Sequence, residues 1–174
     1  MGILIFSARV SDLIHQKHNI EYKLARLTRQ MRDMQQYSTL VGNGSVSIGD
    51  LLNSPSSMMG RTLNYLGFAH NSALQYMQAN APMMQQMYAQ QMAGQQNPQQ
   101  AAMMNNYIMR TLYAQGRDRA AQVEMRNLKE AEERLAQEKE QQETLLAEVS
   151  EELKAAKQAR DQDIKDFAPK YTAG

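Results

Sequence analysis

The side chains best able to do chemistry are few and poorly placed for it. His15 and His18 stand three residues apart, the spacing of half a metal site on one helix, but no carboxylate joins them at ligand spacing. His70 is alone. The run Glu130–Glu152 supplies many carboxylates, yet on one solvated helix with no pocket to raise a pKa for acid or base work. Serines are present without a base in any nucleophile motif. Gly42-Asn43-Gly44 is not a phosphate loop, because no strand precedes it and no Lys-Ser/Thr follows. Arg26, Arg29 and Arg32 form a basic face, but its nearby aromatics are just Tyr22 and Tyr37, and an acidic helix in the same chain can match it. These patterns predict no enzyme, no metal, no cofactor and no nucleic-acid partner.

The elements that would have to position such groups point elsewhere. With Ile3 at position a of a heptad, the a series reads Ile3, Val10, Lys17, Leu24, Met31, Ser38. The d series reads Phe6, Leu13, Ile20, Leu27, Met34, Val41. Ten of these twelve positions are apolar, in unbroken 3-4 spacing. A seam repeating every 3.5 residues is narrower than the stripe of an ordinary core helix and implies left-handed supercoiling against a partner helix. His15 and His18 fall at f and b, away from that seam. Lys17 is the one charge in it, read as a long side chain reaching out to water or as a determinant of register.

Residues 1–41 are therefore expected as an N-terminal coiled-coil helix. Residues 42–57 hold Gly42, Gly44, Gly49 and Pro55 and read as a loop, with Ser54-Pro55 opening the next helix. Residues 58–97 read as a helical Met/Gln-rich middle region. Its first helix, 58–80, puts Met59, Leu63, Leu66, Ala73 and Met77 on one face. A break at Pro82 is followed by a short helix over 82–93 that ends at Gly94. Asn97-Pro98-Gln99-Gln100 is a helix-opening signature, and a long helix over 98–168 follows, with Gly116 as a candidate kink and a tail over 169–174. Its apolar line includes Leu128, Leu135, Leu145, Val149, Leu153, Ile164 and Phe167.

Bulk composition agrees with long helices. The chain has 174 residues, net charge +1, fourteen Met, three Phe and no Cys or Trp, with a mean hydropathy of −0.62. The absence of Cys removes disulfides and thiol chemistry. Basic residues outnumber acidic ones by about three in the first helix, and the reverse holds beyond residue 117, so the two terminal helices should pair with each other first. The fold expected is all-α: a long helical hairpin of N- and C-terminal helices with a shorter helical region between, in one structural domain. Leu4, Ile5 and Ile14 lie outside the seam and are expected to meet another subunit. No transmembrane helix and no cleaved secretory signal are expected; Ser7 falls one place beyond a myristoylation motif.

This layout resembles the exported bacterial helical filament subunits, flagellins and the sheath filaments of type III secretion systems. The points shared are the heptads from Ile3 to Val41, the terminal helix to Phe167, the lack of Cys and the Gln/Ala/Met-rich, Trp-free composition. The resemblance is one of architecture over the whole chain; the Asn/Leu/Arg-rich terminal signatures of flagellin are not matched. It implies a secreted, self-assembling subunit, a homopolymer outside the cell or at its surface. The alternative is a cytoplasmic coiled-coil adaptor, chaperone or phage scaffolding protein acting as a small oligomer.

Overall fold

The computed structural model describes residues 2–42, 46–91 and 98–167. It is all-α. Helix α1 spans Gly2–Gly42, α2 spans Met59–Gln91, and α3 spans Pro98–Phe167. Two short 3-10 turns, Ile48–Asn53 and Ser56–Met58, join α1 to α2. No Gly or Pro interrupts α1 between its two terminal glycines, and α3 opens on Pro98, whose missing N–H is no loss in a first turn. Gly94, Asn97 and residues 168–174, which carry the expected helix end, cap and tail, lie outside the described residues.

Where one structural domain was expected, the chain groups into two compact units. One joins Met1–Met31 to Glu133–Gly174, and the other is Arg32–Glu132. The first is a pairing of α1 with α3. Its core gathers Val10, Leu13, Leu153 and Ala156, with Ile14 and Val149 packed against them. The expected seam thus closes within the chain, and α1 and α3 form the expected hairpin. Charge contributes little to this pairing: the Arg9–Glu152 ion pair that crosses from α1 to α3 has both side chains about half exposed. Glu152 holds the Arg9 guanidinium more firmly protonated than usual, but exposed pairs of this kind contribute little.

The second unit packs three segments. Along α1, Gln35, Tyr37 and Ser38 meet Glu132, Glu124 and Met125 in turn, so α1 and α3 run antiparallel. Along α2, Arg61, His70 and Gln85 meet Glu124, Tyr113 and Asn105, again antiparallel.

Three local expectations are corrected here. Pro82 does not divide the middle region, because α2 runs through it. Its ring lies on the exposed face, where water can serve the carbonyl that loses a partner, and Asn80 Nδ2 adds a bond of 2.7 Å to the Tyr76 carbonyl one turn earlier. Ser54-Pro55 opens the second 3-10 turn instead of an α-helix. The buried face of α2 is Thr62, Tyr65, Ala69, Ala73 and Ala81, while Met59 and Leu63 are exposed. A face with three alanines lets α2 approach α3 closely. Gly116 serves the same contact: it continues the helix and is buried.

Candidate functional site

With no catalytic constellation expected, the candidate surfaces are the seams and what they leave uncovered. Of the seam residues, Val10, Leu13, Leu27, Met34, Leu128 and Leu153 are buried. Ile3, Phe6, Ile20, Leu24, Met31, Leu135 and Val149 are half-buried. Leu145 and Ile164 depart from the expectation, at 43% and 48% exposed. Leu146, next to Leu145, is the half-buried neighbour, so α3 turns the second leucine of the pair inward. The Phe167 side chain lies outside the described residues. Among the three side chains assigned to another subunit, Ile14 is corrected: it packs on the Val10–Leu13 cluster. Leu4 and Ile5 are open to solvent, at 78% and 67%.

Lys17 is half-buried and its Nζ lies 3.7 Å from Glu21, one turn on, so the charge in the seam is carried outward to a partner on its own helix. At the other polar seam position, Ser38 donates to Met125 Sδ across the pair at 3.5 Å.

The second unit holds a polar core that heptad counting did not find. Tyr37, at position g, is fully buried. Its hydroxyl donates to Glu124 Oε1 at 3.0 Å, and the same oxygen accepts from Arg61 Nε at 2.7 Å. The Arg61 guanidinium also lies over the Tyr37 ring, 5.8 Å from its centroid. One carboxylate therefore ties α1, α2 and α3 together. Burial, followed by the nearby Glu124 charge, pushes the Tyr37 phenol well above its ordinary range, and burial does the same to Tyr65 beside it. Both phenols are therefore held neutral. Nearby, Arg117 donates to the Val46 carbonyl at 2.6 Å, and Thr62 joins Ser54 at 2.7 Å and the Met58 carbonyl at 3.0 Å. Ser47 and Asp50 form a reciprocal capping box on the first 3-10 turn. These bonds fix the connection between α1 and α2.

The other polar candidates do not converge. His15 and His18 are exposed, and His18 Nδ1 lies 3.3 Å from Glu21 on its own helix. His70 Nδ1 pairs with the Tyr113 hydroxyl at 2.8 Å, with their rings edge to face. Arg26, Arg29 and Arg32 are exposed. Among the described residues, no group of three or more His, Cys, Asp or Glu is placed to hold a metal ion, and no helix is long and apolar enough to cross a membrane.

A groove of about 400 Å³ lies between α2 and α3, lined by Gln85, Tyr88, Ala89, Met104, Asn105 and Ile108 among others. Its floor belongs to the cluster of Ala81, Ile108 and Leu112, on which Met84, Tyr88 and Met104 pack. The tract is Met/Gln-rich and helical as expected; the groove between its helices has no signature of its own in the sequence.

The chain matches no protein-family model, no curated protein and no solved structure.

Proposed function

We propose that this chain is a structural, non-catalytic, self-assembling coiled-coil subunit, and that its assembly is a bacterial helical filament or extracellular appendage. The observation that carries the reading is the contrast at the start of α1. Val10 and Leu13 are spent on the internal seam, while Leu4 and Ile5 stand free on the same helix. Large exposed side chains grouped together mark a contact surface more often than scattered single ones do. Contact through this edge with a different surface of the next copy repeats without closing, which is how filaments grow.

A patch of two large side chains is small. That size favours the second reading, a cytoplasmic adaptor, chaperone or phage scaffolding protein that closes into a small oligomer. Sedimentation and negative-stain microscopy of the purified chain separate the two. The filament reading expects fibres, or species that grow with concentration, and it expects Leu4→Asp with Ile5→Asp to abolish them while leaving the helical circular dichroism intact. A single small species at every concentration, salt and pH tried would remove the filament and leave the closed oligomer.

A further inference from the structure

From Asn71 to Met109 the sequence contains no Asp, Glu, Lys or Arg, in a chain where 21% of residues are charged. This tract supplies the whole lining of the α2–α3 groove. A second concavity, lined by Gln100, Met103, Met104 and Tyr107, shares Gln100 and Met104 with the first, so the two surfaces are continuous. Met103 and Tyr107, one turn apart on α3, project from it at 66% and 62% exposed. An apolar ridge thus stands directly beside an apolar groove, on a surface with no formal charge.

We infer that this surface is a two-fold interface between copies of the chain, each copy's Met103–Tyr107 ridge seated in its partner's α2–α3 groove. In a two-fold contact the same patch appears on both sides, so whatever the ridge of one copy touches is touched in return. A ridge adjoining a groove closes on itself under that operation. The chemistry is self-complementary too. Like charges cannot meet, because none are present, and an occupant bearing charges would find no counter-ion. Gln85, Gln100 and Asn105 carry amides that both donate and accept, so a second copy offers the groups each needs. Gln85 Nε2 already donates to Asn105 Oδ1 at 2.7 Å, leaving the Gln85 oxygen and the Asn105 nitrogen for a partner. Met104 on the floor and Met103 on the ridge are unbranched and adjust to each other's shape.

The inference rests on the self-association proposed above, and adds to the Leu4–Ile5 edge a second, separate surface. The test is therefore made on the full chain carrying Leu4→Asp and Ile5→Asp, followed by sedimentation velocity. This background is expected to remain dimeric. Adding Met103→Glu with Tyr107→Glu, or Met103→Lys with Tyr107→Lys, is expected to raise the dissociation constant on the order of tenfold or more, since charges would be buried unpaired. All four sites are exposed, so circular dichroism should stay unchanged. A background that is already monomeric, while the wild-type chain still assembles, overturns this interface and leaves the Leu4–Ile5 edge standing. Charged forms that dimerise undiminished overturn it as well, and would give the groove to some other partner. A wild-type chain that is monomeric throughout removes both proposals.

Discussion

Gly116 of α3 lies against Ala73 of α2 so closely that a Cβ at position 116 would stand 2.6 Å from the Ala73 Cα and 3.1 Å from the Tyr76 Cβ. The first obstacle is backbone, which cannot swing aside. Replacing a mid-helix glycine by alanine ordinarily stabilises by roughly 0.5–1 kcal/mol. Here the sign should reverse. Gly116→Ala is expected to destabilise by about 1–3 kcal/mol, the usual cost of forcing an extra methyl group into a packed contact. Urea unfolding followed by circular dichroism reads the change; a midpoint that rises would mean the helices separate without penalty.

The Tyr37 phenol gives a pH dependence with a definite sign. Its folded-state pKa lies above the unfolded value of about 10. A group of that kind adds its stability in full below about pH 10 and loses it as the pH climbs through the folded value, because the unfolded phenol then ionises first. Wild type should therefore lose stability above about pH 10, and Tyr37→Phe should lose less over the same window. Tyr65, raised in the same direction, keeps some dependence in that variant. At neutral pH, Tyr37→Phe should itself cost roughly 1.5–3 kcal/mol, as for a hydrogen bond to a charged acceptor. Denaturant midpoints at pH 7, 9 and 11 check both statements. Identical slopes for the two proteins would show that Tyr37 is not the titrating group.

How much of this was legible beforehand depends on what a one-dimensional pattern can hold. The 3-4 spacing from Ile3 to Val41 identified α1 and its inward face, and Val10, Leu13, Leu27 and Met34 lie where it put them. The spacing overreached at Leu145 and Ile164, because α3 has a poorer seam and apolar type alone does not say which of two adjacent leucines turns inward. Tyr37 was missed for a different reason: at g, a tyrosine near arginines looks like surface, and its acceptor Glu124 is 87 residues away. Pro82 was weighed by its usual effect on a helix interior, without the exposed face that lets α2 tolerate it. Ala69, Ala73 and Gly116 carry little hydrophobic signal, yet all three are buried, and Gly116 lies directly against the Ala73 backbone. Small residues matter there through the space they leave.

The two leucines at 4 and 13 should separate stability from assembly. Leu13 is fully buried in the Val10–Leu153 cluster, whereas Leu4 is 78% exposed. Leu13→Ala leaves a cavity and should cost about 2–5 kcal/mol. Leu4→Ala should stay within roughly 0.5 kcal/mol of wild type, as surface substitutions do. Both are to be compared at one low protein concentration, since association itself raises apparent stability. On concentrating the samples, the Leu4 variant should be the one that assembles less at a given degree of folding. A large stability loss from Leu4→Ala at low concentration would place that side chain in an internal contact.

Pro82 offers a stabilising substitution. A proline inside a helix is about 3 kcal/mol less favourable than alanine, through its missing N–H and the contact of its ring with the preceding turn. In this chain α2 already continues through position 82, with the ring exposed, so replacement asks for no rearrangement of the core. Pro82→Ala restores the backbone bond to the Gln78 carbonyl. It also frees the unfolded chain, an opposing effect of roughly 0.4–1 kcal/mol. The net expectation is a gain of about 2–2.5 kcal/mol, with the melting temperature rising by several degrees and hydrogen exchange slowing around residues 78–86. A fall in melting temperature would mean that the backbone conformation set by Pro82 is needed to keep Met84 and Tyr88 packed with Ile108.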